Sequence, residues 1–201
     1  MSYDRRHFLK GSGVALGAVA ACPAWAEESL PLRKTPPDAE GPFYPTGDRS
    51  QDNEDLLRNM STPRGATLRF SGRVVDVQSQ PQEGLIIDIW HADTQGRYKH
   101  PDDRSSGARF EDFAYWGKVK TNSDGTFSFR TYVPGTYGGR PSHIHYIVWK
   151  GDKRLLTSQV YFRGFEERSG AAIESERHDL RKAKLVRANA TDFATDFRVV
   201  V

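Results

Sequence analysis

The chain has 201 residues, with 29 Lys and Arg against 26 Asp and Glu and 37% hydrophobic residues, which fits one domain with enough apolar content for a core. This balance of charge excludes the strongly basic surface that nucleic-acid binders carry. A lone cysteine, Cys22, excludes a disulfide scaffold and four-thiolate zinc sites, so a metal would have to be held by His, Tyr, Asp or Glu.

Arg5, Arg6, His7, Phe8, Leu9 and Lys10 form a twin-arginine start, Gly11 to Ala21 a short apolar run, and Ala24, Trp25 and Ala26 a small-residue cleavage site. This pattern predicts a Tat signal peptide over residues 1–26 and a periplasmic or secreted destination. The apolar run is shorter than the roughly 20 residues of a membrane span. A second reading makes Cys22, after Val19, Ala20 and Ala21, the lipidated first residue of an anchored lipoprotein, but Pro23 and the Ala-x-Ala site speak against it. Without residues 1–26 the chain carries 26 basic and 25 acidic side chains and no cysteine. Tat export carries folded proteins, which points to a cofactor inserted before export.

Residues 27–66 are punctuated by Pro36, Pro37, Pro42 and Pro45 and show no periodicity, which predicts an extended arm. From residue 67 to 201 the pattern is that of one β domain. Strand-like runs span Thr67 to Val77, Gly84 to Ala92, Gly117 to Thr121, Thr126 to Tyr132, His143 to Lys150 and Leu155 to Phe162. Asn122 to Gly125 reads as a hairpin turn. Ile173 to Lys184, with Glu174, Glu176, Arg177, Arg181 and Lys182 on a polar face, predicts one short surface helix, and Phe193 to Val201 a closing strand. Short strands at this spacing predict an all-β fold, an antiparallel β-sandwich.

His143 and His145 are separated by one residue in a strand-like run, so both imidazoles project from one face and can share a metal. Such a pair alone is weak, since strand histidines are often buried polar residues. Upstream, the Gly-rich loop Pro134 to Arg140 carries Tyr137 and Arg140, and Gly96-Arg97-Tyr98-Lys99-His100 follows the run containing Trp90 and His91. A phenol titrates near pH 10 and becomes an anionic ligand at neutral pH only beside a strong Lewis acid. Two tyrosinates with two histidines would suit a hard trivalent iron.

In order and spacing, six segments resemble the intradiol ring-cleaving catechol dioxygenases, the group of protocatechuate 3,4-dioxygenase and catechol 1,2-dioxygenase. They are Glu40-Gly41-Pro42-Phe43-Tyr44-Pro45; Asp88 to Asp93 running into Gly96-Arg97-Tyr98; Thr121 to Phe129; Pro134 to Tyr137; Arg140 to His145; and Thr157 to Phe162. The resemblance implies non-haem Fe(III) on Tyr98, Tyr137, His143 and His145, with Tyr137 and His145 as the axial pair and a solvent hydroxide as fifth ligand. It implies Arg140 beside the substrate ring and Gln159 behind it, neither binding iron. The implied reaction joins a catechol and both atoms of O2, cleaves between the hydroxylated carbons and gives a cis,cis-muconate-type diacid. It needs no NAD, flavin or haem. Tyr137 would leave as the substrate oxygens coordinate and lose their protons, and Arg140 would stabilise charge developing on the ring.

His91 and His100 match no ligand position of that family and read as polar neighbours, Trp90, Trp116 and Trp149 as core packing, and Asp88, Asp93, Asp102 and Asp103 as turn and surface carboxylates. The stretch from Tyr137 to His143 lacks the insertion of the best-known soluble enzymes, and no helical dimerisation region precedes Gly41, which favours a protocatechuate-type or short exported branch. Such an enzyme would meet catechols from plant or lignin breakdown. Arg33, Lys34 or Arg163 are candidates for a substrate carboxylate. Expected partners are the catecholic substrate, O2 and, during export, the Tat machinery; the oligomeric state, including a homo-oligomer, stays open. Two competing readings are a non-catalytic transthyretin-like binding module, and zinc or copper on His143, His145 and His91 serving hydrolysis or storage.

Overall fold

Alternating side chains build two sheets that face each other across a shared aromatic and aliphatic core. The computed structural model describes residues 30–162, 182–187 and 192–201, and from Pro31 onward they belong to one unit. The expected signal peptide, the lipidation candidate Cys22 and Arg163 lie outside the described residues. The strands are β1 (Thr67–Val75), β2 (Ile86–Trp90), β3 (Trp116–Lys120), β4 (Thr126–Tyr132), β5 (His143–Lys150), β6 (Lys153–Phe162), β7 (Lys182–Arg187) and β8 (Asp192–Val200). One sheet runs β3-β2-β5-β6 and the other β8-β1-β4, with β7 joining them through β6 on one side and β8 on the other. Phe70, Phe127, Phe129, Phe197 and Val199 of the second sheet meet Ile87, Ile89, Ile144, Tyr146, Val148 and Val160 of the first. Each such buried side chain contributes roughly 1.5–3 kcal/mol relative to exposure.

The all-β sandwich expected from the sequence is present, with three local departures. Strands β1 and β8, and β6 and β7, pair in parallel, so the sheets are mixed. The Asn122–Gly125 turn closes through Gly125 N–H to the Asn122 carbonyl at 2.8 Å and Asn122 N–H to the Thr126 carbonyl at 2.9 Å. Its flanking strands nevertheless do not pair as a hairpin, since β3 joins β2 in one sheet while β4 joins β1 in the other. The turn is a bridge between layers. The helix expected over Ile173–Lys184 lies outside the described residues up to Arg181, and from Lys182 onward the chain is strand β7.

The arm is tied down by backbone hydrogen bonds rather than by its own periodicity. Leu32 N–H donates to Val77 O at 2.7 Å, Thr35 N–H to Val200 O at 3.0 Å and Asp38 N–H to Thr157 O at 3.0 Å. Farther along, Asn53 pairs with Lys118 and Asp55 with Arg130 as isolated bridges, and Leu56 and Leu57 are buried in the core.

Candidate metal centre

The pleat of β2, β5 and β6 decides which residues share the face turned away from the other sheet. Trp90 is opposite His145, His145 opposite Gln159, and His143 opposite Tyr161. Two rows of side chains therefore cross the sheet on its outer face. A second cluster of Phe43, Trp90, Ala92, Tyr98 and Ile147, with Tyr44, Trp116, Tyr137 and Trp149 partly buried at its edge, lies on this face. Trp90 does more than pack: its ring stacks on His145 with centroids 4.9 Å apart and planes within 9°, and Tyr44 meets its edge at 4.8 Å.

Tyr98 and Tyr137 arrive from two loops locked together by their backbones. The Tyr98 loop is wound around Asp93, whose Oδ1 accepts from Gln95 N at 2.8 Å and Arg97 N at 3.1 Å and whose Oδ2 accepts from Tyr115 Oη at 2.9 Å. Asp103 Oδ2 accepts from Tyr98 N itself at 2.6 Å. The Asp93 carbonyl also takes Gly135 N–H at 2.9 Å, tying in the loop that leads to Tyr137. At this crossing a Cβ on Gly96, whose φ is +80°, would lie 2.0 Å from the Thr136 carbonyl oxygen, and one on Gly135 2.5 Å from Gly96 N. Only glycine allows this approach.

Tyr137 and Arg140 flank a two-residue turn. Arg140 N–H donates to Tyr137 O at 2.7 Å, and Gly138 and Gly139 have φ of +52° and +75°, the positive pair a type I′ turn requires. The turn sets the two side chains next to each other.

These elements bring Tyr98, Tyr137, His143 and His145 together. Ring centroids lie 5.5 Å apart for Tyr98 and Tyr137, 6.2 Å for Tyr98 and His145, and 4.8 Å for His143 and His145. Tyr98, His143 and His145 are buried, whereas Tyr137 is partly exposed. His143 Nδ1 faces the Pro141 carbonyl at 2.6 Å, which makes it the N–H donor and leaves Nε2 with its lone pair. That Nε2 faces His145 Nε2 at 3.2 Å. Burial holds the His143 imidazole down to about 4 and that of His145 well below the ordinary histidine range, with the Arg140 charge acting the same way on both. Two neutral imidazoles turned nitrogen to nitrogen fit a shared cation, since nitrogens each about 2.1 Å from one ion lie about 3 Å apart. Burial raises the Tyr98 phenol above its usual value, partly opposed by Arg140, so its ionisation calls for a strong Lewis acid. Among the described residues no cluster of three His, Cys, Asp or Glu side chains could hold a metal; the donor set here needs the phenols.

The arm covers this cluster. A Cβ on Gly41, whose φ is +78°, would lie 3.1 Å from His145 Cε1, and Phe43 packs on Tyr98 at 4.7 Å and Tyr137 at 5.2 Å. A cavity of about 500 Å³ opens on the Tyr98 side, lined by Phe43, Trp90, Tyr98, Tyr115 and Trp116 among others. Arg140 Nη2 donates to Gln159 Oε1 at 2.6 Å and Tyr161 Oη at 2.8 Å.

Several residues sit elsewhere than the sequence led us to expect. Asp88, Asp93 and Asp103 are buried rather than surface carboxylates; Asp88 takes Tyr44 Oη at 2.7 Å and Arg49 Nη1 at 2.8 Å. His91 is buried with Nδ1 on Ala92 O and Nε2 on Thr131 Oγ1, both at 2.7 Å, which leaves no nitrogen for a metal. His100 is buried against Phe43. Arg33 and Lys34 are exposed on the arm. Asp38 and Tyr161 also belong to the surroundings of Arg140, though nothing in the sequence pattern points to Asp38; for Tyr161 the signal is its place two residues after Gln159 on one strand.

A β-sandwich that sets a histidine pair on one sheet face beside two loop-borne phenols defines a class, and comparison with known proteins gives that class a family. The family model described as Dioxygenase matches residues 39–200, and the chain belongs to the intradiol ring-cleavage dioxygenase family. It is 31% identical over 148 residues to catechol 1,2-dioxygenase 1 of Acinetobacter lwoffii, covering 65% of this chain and 47% of that one. It is also 31% identical over 148 residues to the protocatechuate 3,4-dioxygenase beta chain of Burkholderia cepacia, covering 67% and 62%. The alignments thus span about half to under two thirds of these relatives' length. Among solved structures it resembles the dioxygenase domain of a dioxygenase and carbohydrate-binding protein fusion from Streptomyces sp. SirexAA-E, with TM-score 0.67 and 31% identity over 84% of this chain and 98% of that one.

Proposed function

We propose that the protein is a non-haem iron(III) intradiol dioxygenase. It would cleave a catechol-type ring between its two hydroxylated carbons with both atoms of O2, giving a cis,cis-muconate-type diacid. The observation that carries this reading is the convergence of Tyr98, Tyr137, His143 and His145 beside an anchored Arg140, on a chain belonging to this family. The relatives named for catechol and protocatechuate dioxygenation support the ring class. The transthyretin-like and hydrolytic readings lose ground on the same points, since His91 is engaged and the phenols are part of the cluster.

Tyr98, Tyr137, His143 and His145 would hold the iron, which when bound supplies a Lewis acid that lowers the pKa of catechol oxygens and activates the ring toward O2 without an external reductant. Tyr98, His143 and His145 are buried and fixed by the ladder or by Asp103. Tyr137, partly exposed on its two-glycine turn, would be the donor that gives way to substrate, and its Oη would take a proton from a substrate hydroxyl. Arg140 sends Nη2 to Gln159 and Tyr161 and keeps its other N–H groups for negative charge developing on the ring. Phe43 and Trp90 give the cavity beside the cluster an aromatic wall for a ring substrate. Export through the Tat route is part of the proposal, supported by Arg5, Arg6 and the Ala-x-Ala site.

The test is the visible spectrum and metal content of the purified protein, before and after catechol is added without oxygen. A red-brown tyrosinate band that moves to longer wavelength, with one iron per chain, is the expected result. A protein that stays colourless after iron is supplied would overturn the proposal.

A further inference from the structure

Arg140 stands on a turn that does little to fix its head. Gly138 and Gly139 have nothing within 4 Å of where a Cβ would be, and a guanidinium on three methylenes has considerable rotamer freedom of its own. Its aim has to come from what grips it. The grip is on β6, where Gln159 and Tyr161 are two residues apart, point the same way and are both buried. Gln159 Oε1 accepts from Arg140, and its Nε2 is anchored on the Ala39 carbonyl at 2.7 Å. Tyr161 Oη accepts from the same Arg140 nitrogen and has two acceptors for its one proton, Gln159 Oε1 at 2.9 Å and Asp38 Oδ2 at 3.2 Å. Asp38 Oδ1 is occupied by Ala39 N–H at 2.7 Å, and Asp38 N–H is fixed to Thr157 O of β6.

We propose that Tyr161 and Asp38 are positioning residues for Arg140: the hydroxyl bridges an arm carboxylate to the guanidinium and fixes which of its N–H groups face the substrate. This rests on the dioxygenase reading. A hydroxyl set 2.8 Å from Arg140 Nη2 and 3.2 Å from Asp38 Oδ2 connects the two charges through one atom, and hydrogen bonds to charged groups are the stronger kind. The arm, rather than the sandwich, then sets the direction of the group that meets developing charge. The effect belongs in turnover more than in substrate binding, because only charge developed in the transition state draws on it.

The experiment compares Tyr161→Phe and Asp38→Asn with the wild-type full chain, iron-loaded, by metal content, visible band, anaerobic catechol titration and steady-state kinetics. Expected are unchanged iron and band, a catechol affinity within about threefold, and kcat lowered on the order of 10- to 100-fold for Tyr161→Phe and 3- to 10-fold for Asp38→Asn. Arg140→Lys supplies the discriminating background, since a point ammonium lacks the planar fork. There Tyr161→Phe should add less than threefold. Wild-type kcat in both single variants, or an undiminished Tyr161→Phe effect in the Arg140→Lys background, would overturn the proposal. If Tyr161→Phe does not fold, Asp38→Asn decides: a fall in kcat with the band intact supports it and wild-type turnover refutes it. A colourless, inactive wild type would instead count against the dioxygenase reading itself.

Discussion

Replacing Gly96 by alanine should break the site through the backbone, without touching any proposed ligand. The new Cβ would lie 2.0 Å from the Thr136 carbonyl oxygen, where real contacts stay beyond 3.0 Å, at a φ of +80°. The left-handed conformation costs about 1–2 kcal/mol for a residue with a Cβ, and forcing the two loops apart by about 1 Å adds the 1–3 kcal/mol typical of overpacking. The total is about 2–5 kcal/mol, and at roughly 2–4 °C per kcal/mol for a domain of this size it lowers Tm by about 4–20 °C. The same displacement separates Tyr98 from Tyr137, and misplacement by about 1 Å is worth on the order of 100-fold in turnover. Gly151→Ala is the control, because its φ of +55° carries the conformational cost with nothing within 4 Å. Thermal unfolding, the visible band and kcat are measured on both variants. A Gly96→Ala protein no less stable than Gly151→Ala, with an unshifted band, would refute the reasoning that these loops are locked by backbone contact.

Tyr98→Phe should weaken or abolish the tyrosinate colour, read from the visible spectrum of iron-loaded protein. Arg140→Ala should keep iron and colour while losing about 100- to 1,000-fold in kcat, and unchanged turnover would remove its role. His91 gives a prediction for acid. Burial holds its imidazole at about 4, against about 6.5 in the unfolded chain, so between those values the unfolded state binds the extra proton and stability rises with pH. Neutral burial of His91 thus contributes stability that is present above pH 6.5 and lost as pH falls toward 4, on the order of 3 kcal/mol. Urea unfolding at several pH values should show a shallower acid slope for His91→Gln than for wild type, whatever its stability at pH 7.

What the sequence made legible follows the physics of alternation. Ile144, Tyr146 and Val148 face the core while His143 and His145 face away, so a His-x-His pair in a β-branched run already tells that both rings share a face. Runs such as Thr126–Tyr132 carry their boundaries in residue type alone. The expected helix over Ile173–Lys184 meets the described residues only at Lys182–Lys184, which belong to strand β7; the alternation of Lys182, Ala183 and Lys184 suits a solvated helix as well as a strand, and only pairing with β6 and β8 decides. The docking of the arm was hidden for another reason: backbone hydrogen bonds from Leu32, Thr35 and Asp38 leave no mark in side-chain pattern. Asp93 looked like a turn carboxylate and is one, yet it is buried and ties the two tyrosine loops together, a tertiary role that its Asx turn does not announce.

The four proposed donors do not come from equally stiff parts of the molecule. His143 and His145 are carried by a strand hydrogen-bonded on both sides, to β2 and to β6, and behave as a fixed caliper. Tyr98 and Tyr137 are delivered by loops whose alignment depends on Gly96 and Gly135 at their crossing and on Asp93 and Asp103. Damage to those loops therefore removes the hard, anionic half of the grip and spares the imidazole half. A centre reduced in this way is matched to softer divalent ions such as zinc and copper, which imidazole suits. Loop changes in this scaffold would then alter which metal is taken before they abolish metal binding.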